Sequence, residues 1–390
     1  MMEPKKRLYL DNAATSFPKP EPVYLASDRY SRNLGCAVGR SATGKGQEVQ
    51  RTVDRCRSRI SKLLDVGSPD RVVFTLNGTD SLNLALHGLL KPGDHVLTTH
   101  WEHNSVLRPL NFLQKQTEIS VQFVDCDESG RIDLSHLKSL LQESPRVICM
   151  THASNVTGVL QPIEQVAELA EQTQTLVLLD AAQSVGHLPV ALEKLGVDIL
   201  ACPGHKGLLG PLGTGVLAFR SGMEQLIDSV RQGGTGTKSN EAQQPETLPE
   251  KYEPGNHNAP GLFGLDAAIE WIEEKGIDSL RKHEQDLTEQ FCSGLRGIPQ
   301  IEQALETETQ NRVGVVSCNL TSIDPQTFCS LLDEHFGIET RAGLHCAPKA
   351  HQALGTLERG GTVRFSFGPF NTAEEIDYTL ESIAQIASAV

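Results

Sequence analysis

The sequence has no apolar run near the roughly 18 residues that span a bilayer, no CxxC pair among its nine cysteines, and no excess of positive charge. The first lack leaves no candidate for a membrane-spanning helix. The second removes the common paired-cysteine zinc and redox motifs. Cysteines that are odd in number and spread singly suit a reducing cytoplasm. The third lack is a balance of 35 Lys+Arg against 49 Asp+Glu, a net charge of −14. A general nucleic-acid or anionic-membrane binder needs a basic face, so neither partner is expected. No internal repeat or low-complexity tract is visible. The start, Met1-Met2-Glu3-Pro4-Lys5-Lys6-Arg7, is basic but leads into Leu8-Tyr9-Leu10-Asp11 rather than an apolar stretch. No secretory signal is therefore expected.

What is present is the composition of a globular chain, 38 % hydrophobic with 34 glycines. Its 390 residues suggest two or three domains. Between about residues 70 and 220, seven short apolar runs alternate with helical patterns. They are Arg71–Thr75, His95–Thr99, Ser120–Val124, Val147–Met150, Leu176–Asp180, Ile199–Ala201 and Val216–Phe219. This pattern predicts an α/β fold with a mainly parallel sheet covered by helices on both faces. Ligands in such folds sit beyond the carboxyl ends of the strands. Residues 231–261 are turn-rich. A long helical stretch is expected over Leu262–Leu295, then strands at Val313–Leu320, near Ile338–Thr340 and at Thr362–Phe367. Helices are expected at Pro325–His335 and after the capping box Thr372-Ala373-Glu374-Glu375. These features predict a large domain over 21–261 and a smaller α/β domain made of 1–20 and 262–390.

Gly39-Arg40-Ser41-Ala42-Thr43-Gly44-Lys45 matches GxxxxGK, but Gly46 follows where Ser or Thr would hold magnesium. No apolar strand precedes it, so a loop is expected rather than a nucleotide site. Pro203-Gly204-His205-Lys206-Gly207 is more informative. A lysine just past a buried strand faces a cleft, and its glycines permit close approach of a ligand. Desolvation lowers a lysine pKa and makes it a nucleophilic amine suited to a Schiff base. The alternative is a solvated loop lysine. Asp180 ends a wholly apolar run and could keep a heterocyclic nitrogen protonated, or simply cap a helix. Gln183 could donate to an oxygen of the same ring. Asn77-Gly78-Thr79-Asp80-Ser81, between a strand and a helix, offers backbone N–H groups and hydroxyls to a phosphate. Together these are the parts of a pyridoxal 5′-phosphate site.

At this point the chain resembles the class V, fold-type I pyridoxal-phosphate enzymes, and more narrowly the cysteine desulfurases and selenocysteine lyases. The resemblance runs nearly end to end through Tyr9–Thr15, Trp101–Ser105, Ser154–Gly158, Asp180–Gln183, Gly204–Lys206, Arg341–Ala347 and Arg364. It implies that Lys206 carries the cofactor and that His103 stacks on its ring and assists proton transfer. Asp180 would pair with the ring nitrogen and Gln183 with the phenolic oxygen. Gly78, Thr79 and His205 would serve the phosphate, and Asn256 would reach in from a second subunit. Ala14, Asn155, Arg341 and Arg364 would bind the substrate, Asn155 also lying against the cofactor and Arg364 gripping the carboxylate through its fork. His100 and His103 form an HxxH without a third ligand in register, so no metal is expected.

Cys346, in Gly343-Leu344-His345-Cys346-Ala347, matches the position of the family's persulfide-forming cysteine. Arg341, His345 or a helix start nearby would favour its thiolate. Two departures stand out. Pro203 replaces a Ser or Thr usual two residues before His205, removing one hydroxyl contact to phosphate. Only 17 residues separate Cys346 from Arg364, which resembles the short-loop branch of the family, yet the histidines common in that branch are absent around Asn33–Gly39. The resemblance implies a homodimer that converts L-cysteine to L-alanine and passes sulfur from Cys346 to an acceptor protein, as in iron-sulfur cluster assembly. Selenocysteine lyase, another class V reaction with Cys346 idle, and an inactive scaffold remain as alternatives.

Overall fold

A computed structural model describes residues 7–39 and 42–390. Met1–Lys6 of the basic start, and Arg40 and Ser41 of the GxxxxGK match, lie outside the described residues. The first part of the chain runs β1 (Leu8–Tyr9), α1 (Glu21–Arg29), α2 (Gly44–Leu64), β2 (Val72–Thr75), α3 (Gly78–Leu89), β3 (His95–Thr99), α4 (Asn104–Gln116), β4 (Ser120–Val124) and α5 (Leu134–Leu140). It continues through β5 (Val147–Thr151), α6 (Ile163–Glu171), β6 (Leu176–Asp180), β7 (Ile199–Pro203) and β8 (Gly215–Phe219). The rest comprises α7 (Ala259–Lys275), α8 (Ile277–Leu295), β9 (Ile301–Gln303), β10 (Val315–Leu320), α9 (Pro325–Phe336), β11 (Ile338–Glu339), β12 (Arg341–Gly343), α10 (Pro348–Ala353), β13 (Thr362–Ser366) and α11 (Ala373–Ala389).

Among the described residues, the seven apolar runs form one seven-stranded sheet in the order β2-β8-β7-β6-β5-β3-β4. Only β8 runs against its neighbours β2 and β7; the other pairings are parallel. Continuous apolar runs suit this sheet because both of its faces are covered. In β6, Val177 and Leu179 enter a core with α2, α6 and α7, while Leu178 enters the opposite core with α3 and α4. Burying each such side chain contributes about 1.5–3 kcal/mol. The aligned strands bring Thr151 beside Asp180, and Asp180 beside Ala201. One sheet edge thus presents the ends of β5, β6 and β7 together.

A four-stranded antiparallel sheet, β12-β13-β10-β9, packs with α8, α9 and α11 around a third core. Leu8 and Leu10 join that core, and β1 pairs in parallel with β11. The long helical stretch expected over Leu262–Leu295 is two helices. Gly276 separates them at φ 78, a left-handed conformation that glycine adopts without strain. Leu262, Leu265, Ala268, Ile269 and Ile272 of α7 fill the first core, with the large sheet. The expected boundary at 261/262 falls within this helix. Thr372 and Glu375 form the expected capping box of α11. In the GxxxxGK match, Lys45 lies in the first turn of α2 and donates to the Asn33 carbonyl at 2.8 Å. Among the described residues, no helix is long and apolar enough to cross a membrane.

Candidate active site

Asp180 is the last residue of β6, and its buried carboxylate accepts from the Ala182 N–H at 3.0 Å. Burial raises its pKa, against the pull of that hydrogen bond and of Lys206. Lys206 follows β7 by three residues. Burial drives its ammonium pKa down to about 8; Asp180 opposes the fall, and Arg364 and Arg341 add to it. The glycines around this lysine serve packing rather than a ligand. A Cβ on Gly204 would lie 2.2 Å from Thr214 Oγ1, and one on Gly207 would lie 2.3 Å from the Val185 carbonyl.

His103 caps α4, its Nδ1 accepting from the Ser105 N–H at 3.0 Å. The Ser105 hydroxyl lies 2.7 Å from that nitrogen and 2.7 Å from the Thr79 hydroxyl, linking the two residues. Burial, reinforced by Lys206, lowers the His103 pKa to about 4, so the ring is neutral. Asn77 caps α3 through the Asp80 N–H. The N–H groups of Gly78 and Thr79 belong to the helix's first turn, where intrahelical partners are lacking. His205 is likewise held near a pKa of about 4 by burial, with Lys206 and Lys19 contributing. Its Nδ1 is buried without a partner among the described residues. Gln183 donates to the Ala13 carbonyl at 3.0 Å, and the His205 carbonyl accepts from the Ser16 N–H, so the N-terminal segment is tied to the loops after β6 and β7.

Gly78, Thr79, His103, Asn155, Asp180, Gln183, His205 and Lys206 therefore line one cleft, of about 500 Å³. Arg364, on β13, is 2 % exposed. It donates to Asp11 Oδ1 at 2.7 Å and to the Asn155 carbonyl at 3.1 Å, and its Nε is buried without a partner among the described residues. Arg341 stands opposite it in the β12–β13 register. Ala14 is half-buried, its N–H on the Asp11 carbonyl. Asn256 is exposed and does not line the cleft.

Five of the nine cysteines are buried, three are half-buried and Cys346 is exposed; all are free thiols. Cys346 lies outside the cleft lining but is tied to its rim. Its carbonyl accepts from the Asn104 N–H, next to His103, at 2.7 Å, and the His345 carbonyl accepts from Asn155 Nδ2 at 2.7 Å. His345 is not the cation that sequence proximity suggested. Its ring turns inward onto Thr362, and burial with nearby Arg364 holds it well below the usual histidine range. His100 stacks on Phe123, and no group of three or more metal-ligating side chains occurs among the described residues.

Sequence reasoning gave no role to two residues that shape the site. Glu102 Oε1 accepts from the Thr99 hydroxyl at 2.6 Å and the Thr151 N–H at 3.1 Å, pinning the loop before His103 to the end of β5. Burial pushes its pKa up to about 8. Its place inside the Trp101–Ser105 motif was the available clue. Asp11, the Arg364 partner, likewise sits in a quoted motif, Tyr9–Thr15, but its partner had no local clue, because the pairing joins opposite ends of the chain.

The class-V aminotransferase family model matches residues 8–379. A probable cysteine desulfurase of Methanothermobacter thermautotrophicus is 34 % identical over 387 residues, covering 98 % of this chain and 95 % of the relative. The cysteine desulfurase of Haloferax volcanii is 32 % identical, covering 96 % and 88 %. Among solved structures, the apo cysteine desulfurase of Thermococcus onnurineus superposes with a TM-score of 0.92 at 30 % identity, covering 99 % and 96 %. With the site at the strand ends and similarity along almost its whole length, the chain belongs to the class V aminotransferase family, among its cysteine desulfurases.

Proposed function

We propose that this protein is a pyridoxal-phosphate-dependent cysteine desulfurase that forms a persulfide on Cys346 and hands the sulfur to an acceptor thiol. The observation that carries this reading is the half-buried, desolvated Lys206 amine near the Asp180 carboxylate, just past neighbouring strand ends, with a free cysteine tethered at the rim. The residues fit the cofactor. A buried carboxylate suits a pyridinium nitrogen, while the unpartnered His205 Nδ1, the Thr79 hydroxyl and the start of α3 suit a phosphate. Pro203 supplies no hydroxyl there. When bound, the cofactor supplies a sink for the electron pair left at the substrate Cα.

The chain's own residues do the rest. Arg364 holds the substrate carboxylate, with Asn155 beside it. Lys206, poised to lose its proton near neutrality, takes the Cα proton and returns it. Neutral His103 would lie against the cofactor ring and accept or donate a proton at its own ring nitrogen. The Cys346 thiolate attacks the substrate sulfur. The S–S bond forms as the carbon–sulfur bond breaks; the bonding pair stays on Cβ, which takes up the proton given up by the substrate thiol, so alanine is released and the persulfide stays on Cys346. Leu76 and Leu212 are 58 % and 67 % exposed at the cleft mouth, which supports a homodimer in which a second copy covers them.

The test combines cofactor-loaded protein with L-cysteine or L-selenocysteine and a reductant. Equal alanine and sulfide from L-cysteine, with Cys346→Ala binding substrate but releasing no sulfide, is the expected result. Full sulfide release by Cys346→Ala would overturn the role of Cys346. Turnover of selenocysteine alone would move the assignment to a lyase.

A further inference from the structure

Cys346 sits on a strained corner. Both His345 (φ 48) and Cys346 (φ 58) occupy the left-handed region, which side-chain-bearing residues rarely adopt even singly. Two tethers on the cleft side, from Asn155 and Asn104, have been described. On the opposite side lies a pair of buried histidines. The His345 and His351 ring centroids are 5.5 Å apart, tilted by 47°. His345 Nε2 lies 3.1 Å from the Thr362 carbonyl and 3.2 Å from the Thr362 hydroxyl; the carbonyl can only accept, so we assign the proton to Nε2, which leaves Nδ1 as an acceptor. His351 Nδ1 lies 2.8 Å from the Thr356 hydroxyl. Among the described residues, His345 Nδ1 and His351 Nε2 are both buried without a partner. One is an acceptor; the other is a donor once Thr356 gives its hydroxyl proton to His351 Nδ1. No hydrogen bond joins the two nitrogens as the rings stand, and with centroids 5.5 Å apart one N–H···N bond requires the rings to rotate toward each other.

We propose that His351 is a positioning residue for Cys346. Its Nε2–H serves His345 Nδ1, and the chain Thr356–His351–His345–Thr362 holds the left-handed corner that presents the thiol. Two buried unpartnered nitrogens would otherwise be a standing cost in this small space. Burial keeps both rings neutral, which the chain requires, since a doubly protonated ring cannot accept. The proposal rests on the reading of Cys346 as the sulfur carrier.

The test uses cofactor-loaded wild type, His351→Leu, His351→Gln and Thr356→Val. The Leu variant is expected to lose about tenfold in kcat for alanine formation, with KM within about twofold and an unchanged cofactor absorbance. Gln, whose amide reaches the place of Nε2–H, should recover most of that loss. Thr356→Val, which leaves both rings in place, should fall between and serves if the Leu variant does not fold. Nitrogen-15 spectra of the histidines give a readout independent of activity. His345 Nδ1 should be an unprotonated, hydrogen-bonded nitrogen whose resonance shifts in His351→Leu and returns in His351→Gln. Wild-type kcat in His351→Leu, or an unmoved His345 Nδ1 resonance, would overturn the proposal. If wild type formed no alanine from L-cysteine, the functional reading would fail on its own, and the spectra would still decide whether the relay exists.

Discussion

The floor of the cleft and the Cys346 corner are built on opposite principles. The floor is buried and electrostatic: Lys206, Asp180 and His103 sit on strand ends and a helix cap, and desolvation sets their protonation. The corner is exposed at its thiol and held by backbone tethers and a histidine pair rather than by burial of the reacting group. A group that must give up a proton benefits from a dry, fixed setting. A group that must carry sulfur out to a second molecule has to reach solvent. Under the proposed function, one fold confines the proton chemistry to the cleft and keeps the sulfur-carrying thiol within reach of solvent.

The largest break in that contrast comes from the floor. Lys206→Ala should lower alanine formation by at least about a thousandfold and abolish the lysine-linked absorbance of the loaded protein, measured on the same sample. Asp180→Asn keeps the shape but loses the charge. It should cost about a hundredfold in kcat while leaving the fold intact by circular dichroism. A corner variant such as His351→Leu should change neither the absorbance nor the melting curve to a comparable degree.

The pH dependence sharpens the account of the floor. Lys206 titrates at about 8 in the folded chain against an ordinary 10.5. Its amine can condense with an aldehyde only when unprotonated. The rate at which apo protein takes up pyridoxal phosphate should therefore rise through pH 8 and level above it. The sign for stability follows. Between these two values the unfolded chain holds this proton and the folded chain does not, so this group's contribution to apo stability rises with pH across that window. A condensation rate that rises only near pH 10.5 would contradict a desolvated Lys206. The smallest effect lies far from both regions. Thr372→Ala, which removes the capping box of α11, should cost about 0.5–2 kcal/mol of stability and leave activity unchanged.

Much of this was legible in the chain itself. The strands His95–Thr99 and Leu176–Asp180 coincide with their apolar runs, because burial on both faces leaves little ambiguity, and the partly buried edge strand Ser120–Val124 coincides with its run as well. Asp180 and Lys206 were legible for the same reason: each is a charged residue just past such a run. Other features depend on tertiary context. The break at Gly276 hides in a pattern that stays helical on both sides. The glycines flanking Lys206 answer to Thr214 and Val185, which only the folded chain brings near. Proximity in sequence made His345 look like a partner for Cys346, whereas its ring faces Thr362. The Asp11–Arg364 pair spans almost the whole chain and leaves no local trace.

The division of labour between floor and corner is tested most directly by one mass measurement. Cofactor-loaded protein is mixed with one equivalent of L-cysteine, without acceptor or reductant, quenched with an alkylating reagent and mapped by peptide. The account predicts one added sulfur atom on the peptide containing Cys346, matched by one alanine released. Sulfur on a different cysteine, or alanine released with Cys346 unchanged, would contradict it.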